Sequence, residues 1–141
     1  MTEFPSEIAV MSRPKHHHPT PGELEVLSIL WERSPRTVRE VREVLNRRRP
    51  RAYTSVMSLL KVMTEKGLLA RKPLGRAFAY SPKAVRTKTM RRMLGDLLGR
   101  AFEGSASLLV AHLLEEASPN TEELAVIRRT LAEYEQQQEN R

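Results

Sequence analysis

Apolar positions first fall into a repeating pattern at Thr20. The preceding residues, 1–19, hold Pro5, Pro14 and Pro19 without helical or alternating spacing, which predicts a flexible N-terminal arm. In Thr20-Pro21-Gly22-Glu23 a hydroxyl can cap a helix, proline suits its first position and glutamate closes a capping box. Leu24, Leu27, Leu30 and Trp31 follow at helical spacing, and Ser34-Pro35 ends this first helix. Thr37-Val38-Arg39-Glu40 is a second capping box, and Val38, Val41, Val44 and Leu45 line one face of a second helix that stops at an arginine cluster and Pro50. A third helix is expected from near Ala52, with Val56, Leu59, Leu60 and Met63 inward and Gly67 as its C-terminal stop.

The period then changes from helical to strand-like. Residues 68–72 and 76–80 read as two short strands joined by Pro73-Leu74-Gly75, with Phe78 and Tyr80 on one face that would pack on the helices. Three short helices followed by a hairpin is the plan of a winged helix-turn-helix.

Ser81-Pro82 is expected to cap a further helix with a wide stripe of Met90, Met93, Leu94, Leu97, Leu98, Ala101 and Phe102. Gly104-Ser105 breaks it, Leu108, Leu109, Leu113 and Leu114 mark a second, and Pro119-Asn120 opens a third bearing Leu124, Ile127, Leu131 and Tyr134. No other apolar element is left to cover these stripes, and a second copy of the chain is the economical partner. The expected fold is mainly α: an arm (1–19), a winged helix-turn-helix DNA-binding domain (20–82), a C-terminal helical dimerisation region (83–137) and a polar tail (138–141).

Charge assigns the two halves different work. Residues 1–92 hold 20 Lys and Arg against 8 Asp and Glu, whereas residues 93–141 hold 4 against 9. The whole 141-residue chain carries +7, which favours a polyanionic partner. Aromatics are only 5%, so the core must be built from Leu, Val, Ile, Met and Ala. There is no cysteine, which removes disulfides, thiolate metal sites and cysteine nucleophiles. Without a signal-peptide core or an apolar run near the ~18 residues that span a bilayer, a cytoplasmic protein with no membrane insertion is expected.

The third helix is the candidate reader of double-stranded DNA. Its non-core face carries Thr54, Ser55, Ser58 and Lys61. Short hydroxyl side chains suit close approach to base edges in a major groove, and Thr54 adds a methyl that can meet thymine. Arg47, Arg48, Arg49 and Arg51 stand at the mouth of the helix, where phosphates pass, and Tyr53 can stack on a backbone sugar. Arg76 at the wing tip can enter a minor groove or meet phosphate, with Arg71 and Lys72 on the same wing. An arginine run alone reads equally well as a solvated face; its place in the helix-turn-helix-wing order favours nucleic acid.

Other chemistry is thinly represented. His16, His17 and His18 read mainly as a polar arm, because adjacent histidines without acidic or cysteine partners make a loose metal site. A metal-responsive DNA-binding regulator using them is the alternative function. His112 and the methionines are expected to fill core or interface. With no His-Glu-x-x-His, phosphate-cradling glycine loop or Gly-x-Ser-x-Gly, neither catalysis nor a cofactor is expected.

The stretches LEVLSILWERSPRTVREVREVL, RAYTSVMSLLKVMTEKGLLARK, GRAFAYSP, SLLVAHLL and TEELAVIRRTL together resemble the penicillinase-repressor family of winged-helix regulators, which includes the methicillin-resistance and copper-transport repressors. The resemblance implies homodimers joined by their C-terminal helices, inverted-repeat operators with TACA/TGTA-like half-sites, and repression by blocking polymerase. It also implies a membrane metalloprotease sensor as partner, which in the family cuts the dimerisation region, commonly at Asn-Phe; the matching position here is near Ala111-His112. Met57 stands where some members place a base-reading arginine, and the cysteine motif of the copper-responsive branch has no counterpart.

Overall fold

The computed structural model describes residues 18–141. The chain divides into two compact units, the first ending at Met93 and the second running from Leu94 to Arg141.

Helix α1, Pro21–Glu32, begins at a complete capping box: Thr20 Oγ1 accepts from the Glu23 N–H at 3.2 Å, and the Thr20 N–H donates to Glu23 Oε1 at 3.0 Å. The same reciprocal pair recurs at Thr37 and Glu40, at 3.3 and 2.9 Å, and starts α2, Val38–Leu45. Two orphan N–H groups are thereby satisfied at each helix start. Helix α3 spans Tyr53–Glu65. The core joins Val26, Leu27, Ile29 and Leu30 of α1 to Val38, Val41 and Leu45 of α2 and Val56, Leu60 and Met63 of α3. Val26 and Ile29 widen the stripe expected on α1, while Trp31 is only half-buried. Trp31 also holds a later segment in place. Its Nε1–H donates to the Ala84 carbonyl at 2.8 Å, and the Arg86 guanidinium lies 5.4 Å from its ring centre. These contacts fasten the residues after the wing onto α1.

The sheet departs from the expected hairpin in four ways. First, a strand β1, Arg36–Thr37, joins β2, Leu69–Leu74, and β3, Ala77–Pro82, in the order β1-β3-β2. Two residues show no alternation, so β1 left no trace in the pattern, and Thr37 both pairs with Ala79 and caps α2. Second, the turn is Gly75-Arg76 rather than Pro73-Leu74-Gly75. Gly75 has φ +61° and Arg76 does not have positive φ, the arrangement of a type II′ hairpin. Pro73 is tolerated inside β2 because β2 is an edge strand.

Third, Tyr80 is buried but Phe78 is exposed. β1 extends only as far as Tyr80 and Ala79, so Phe78, opposite Pro73, lies where the hairpin projects past its third strand. The Arg71 guanidinium covers its ring at 4.0 Å. Fourth, Ser81 and Pro82 pair with Ala70 and Leu69 and belong to β3, not to a helix cap; α4 starts only at Arg86.

Helix α4 runs from Arg86 to Ala101, α5 from Ala106 to Ala117 and α6 from Thr121 to Glu139. Ser105 Oγ accepts from the Leu108 N–H at 3.1 Å, and Asn120 Oδ1 accepts from the Glu123 N–H at 2.8 Å, so α5 and α6 each have a side-chain cap. None of the three helices has a buried residue. No single described helix is long and apolar enough to cross a membrane.

Candidate nucleic-acid interface

The position of α3 is set by the turn before it. Asn46 Oδ1 accepts from the Arg51 N–H at 2.9 Å, and Arg42 Nε donates to the Arg51 carbonyl at 2.8 Å. Ala52 then caps α3 without a side-chain hydrogen bond. At the far end Gly67, φ +86°, closes a Schellman motif: Leu68 N–H reaches the Met63 carbonyl at 2.9 Å and Gly67 N–H the Thr64 carbonyl at 3.1 Å. The start of α3 is thus tied to α2, and its end is closed locally and held to α1 through Lys66 and Glu23.

The surface of α3 is divided cleanly. Val56, Leu60 and Met63 are buried, and Leu59 is half-buried against them. Thr54, Ser55, Ser58 and Lys61 are all exposed. At about 100° per residue, Thr54, Ser58 and Lys61 lie opposite the core side chains, with Ser55 on one flank and Tyr53 and Met57 on the other. Glu65 ends the outward face with a carboxylate, so the first turns suit a phosphate-lined groove better than the last. Tyr53 and Met57 are nearly half exposed.

The arginine cluster is less uniform than its sequence. Arg47 and Arg49 are exposed and have no side-chain partner among the described residues. Arg48 is exposed, with Nη1 3.9 Å from Glu25 Oε2. Arg51 differs: its side chain is only 13% exposed, and Nη2 lies 3.3 and 3.4 Å from the two Glu25 oxygens. As placed, Arg51 fastens the start of α3 to α1 rather than reaching outward as a phosphate ligand. Glu25 gave no sequence signal for this, since its partner lies 26 residues away.

Glu23 makes a second pair between α1 and the end of α3. Its carboxylate is almost completely buried and accepts from Lys66 Nζ at 2.7 Å. Burial would raise its pKa, but the hydrogen bonds from Lys66 and Thr20 and the lysine charge outweigh that and hold it below the ordinary glutamate value. At the start of α2 the Thr37 N–H likewise lowers the pKa of Glu40.

On the wing, Lys72 and Arg76 are exposed. Arg76 lines a cleft of about 410 Å³ between α3 and the wing, together with Arg39, Tyr53, Met57 and Phe78. Sequence reasoning does not single out Arg39 as a contact; the available signal is its place on the outer side of α2. Met57 is marked only as standing where some family members place a base-reading arginine, one helical turn after Tyr53.

The expected dimerisation residues are incompletely covered within one chain. Met90, Leu94, Leu97, Leu113 and Leu131 are exposed, and Met93, Leu98, Leu109, Leu124 and Ile127 are half-buried. His16 and His17 lie outside the described residues, among which no cluster of three His, Cys, Asp or Glu could hold a metal ion.

Three packed helices, a β-hairpin wing and an outward α3 beside the exposed Arg47, Arg48 and Arg49 define a winged helix-turn-helix regulator of transcription. The sequence profile described as penicillinase repressor matches residues 19–133. The chain is 36% identical over 124 residues to the transcriptional regulator BlaI of two Mycobacterium tuberculosis strains, covering 85% of this chain and 88% of that protein. It is 25% identical over 113 residues to the penicillinase repressor of Bacillus licheniformis, covering 80% and 88% respectively. The chain belongs to the penicillinase repressor family.

Proposed function

We propose that the protein represses transcription by binding an inverted-repeat operator as a homodimer, with one α3 in each of two major grooves. The carrying observation is the outward face of α3: Thr54 and Ser58 are exposed opposite the buried Val56, Leu60 and Met63, with Ser55 exposed on one flank. Arg47, Arg48 and Arg49 and the wing cations Lys72 and Arg76 supply the sequence-independent grip on phosphate, and the hydroxyls supply discrimination. The exposed apolar residues of α4, α5 and α6 support association of two chains, and a two-fold pair matches an inverted repeat with half-sites one turn, ~10 base pairs, or a small multiple apart. Induction by a membrane metalloprotease is an expectation from family resemblance, and no Asn-Phe pair stands near Ala111-His112.

The reading is tested by selecting duplexes from a random library with the full chain and footprinting the best. A single discrete footprint with two-fold symmetry supports it. Recovery of unrelated sequences at equal affinity points instead to a general DNA-coating protein.

A further inference from the structure

The cleft between α3 and the wing has a composition that base reading does not explain. Its walls include three incompletely covered side chains, two from successive turns of α3 and one from β3: Tyr53 at 45% exposure, Met57 at 44% and Phe78 at 39%. Two arginines line it as well, Arg39 from α2 and Arg76 from the wing turn. Both are exposed, and neither has a hydrogen-bond or ion-pair partner among the described residues. Neighbouring arginines are engaged: Arg36 donates to the Arg33 carbonyl at 2.8 Å, Arg42 to that of Arg51, and Arg71 lies over Phe78. No carboxylate lines the cleft. Glu40, next to Arg39 in sequence, is committed to the Thr37 cap.

Two unpartnered guanidinium groups beside an apolar wall fit an anion attached to an apolar body. We propose that the cleft seats one sugar–phosphate unit of the DNA strand bordering the groove that α3 enters. The phosphate lies between Arg39 and Arg76, and the deoxyribose packs against Tyr53, Met57 and Phe78. The proposal rests on the DNA-binding reading, adds Arg39 to the interface and gives Met57 a sugar to pack against rather than a base edge. It gives Arg76 a backbone partner rather than a minor groove. Because the two arginines come from different elements on one flank of α3, a phosphate held by both fixes the rotation and depth of the helix. Arg39 is thus a positioning residue for base reading.

Methylphosphonate scanning of a library-selected operator duplex tests this. Each phosphate is neutralised in turn, and affinity is measured for the full-length wild type, Arg39→Ala, Arg76→Ala and Arg39→Lys. One phosphate per half-site is expected at which neutralisation weakens the wild type about tenfold but the Arg39→Ala and Arg76→Ala proteins less than about twofold, the coupling of groups in one contact. Arg39→Ala should also lower the slope of log affinity against log salt by about one per half-site, and Arg39→Lys should restore it. A merely structural effect would leave that slope unchanged. Independent, additive losses at every phosphate, or wild-type binding by Arg39→Ala, would overturn the cleft assignment while leaving DNA binding by α3 intact. Failure of the wild type to select any duplex would remove both readings.

Discussion

Nη2 of Arg51 lies 3.3 Å from Oε1 of Glu25, and this contact sets one arginine apart from the cluster that surrounds it in sequence. The pair is partly shielded, with side chains 13% and 32% exposed, so its loss should destabilise the domain rather than merely weaken its grip on DNA. Arg51→Ala is expected to cost about 1–2 kcal/mol and to lower the melting temperature by several degrees. Arg49→Ala should leave melting unchanged and reduce the salt dependence of DNA binding. Thermal melts paired with salt titrations separate the two, and identical behaviour would contradict the assignment.

Ser58 stands on the middle of the outward face, away from every packed side chain. Ser58→Ala should leave folding and the salt slope unchanged. It should lower the ratio of operator to random-duplex affinity about fivefold per half-site, the loss of roughly one hydrogen bond from each α3. Competition gel shifts measure that ratio, and an unchanged value would place discrimination elsewhere on α3.

Glu23 gives the domain an acid-sensitive fastening. Its folded pKa lies below the ordinary 4.5, so the stabilisation is complete above that value and is lost as pH falls through the depressed one. Glu23→Gln should therefore be less stable than wild type at pH 7, with the gap closing as the solution is acidified below pH 4.5. Urea unfolding across that range provides the check; a gap independent of pH would show that the charge of Glu23 is not what matters.

Leu97 and Leu113 are each about half exposed and stand among other exposed apolar side chains of α4 and α5, Met90, Leu94, Leu108 and Val110, a concentration that marks an interaction surface. A Leu97→Asp, Leu113→Asp double variant should sediment as one 16.2 kDa chain, whereas the wild type is expected to sediment as two. Its operator affinity should fall at least tenfold, because the second half-site no longer adds to the first. A wild type that sediments as a monomer at micromolar concentration would contradict the dimer reading.

Much of the first unit was legible because local rules and packing agree there. Both capping boxes formed where Thr20, Glu23, Thr37 and Glu40 stand at the required spacing, and Gly67 closed α3 in the left-handed conformation. The wing was harder. Pro73 looked like a turn residue, but an edge strand accommodates it, and the glycine-first turn shifted both strands. Phe78 and Tyr80 do share a strand parity, but their burial depends on how far β1 extends, a tertiary fact that two residues cannot announce. For the candidate interface, the exposed hydroxyls followed directly from the core spacing of α3. The inward turn of Arg51 did not, because Glu25 sits on a different helix.

The most direct test of the central claim is a hydroxyl-radical footprint of the full chain on its library-selected duplex. Two protected patches related by two-fold symmetry, centred ~10 base pairs apart or a small multiple of that, are predicted. Ser58→Ala should weaken both patches together. Uniform protection along the duplex, or one asymmetric patch that Ser58→Ala leaves unchanged, would contradict the account.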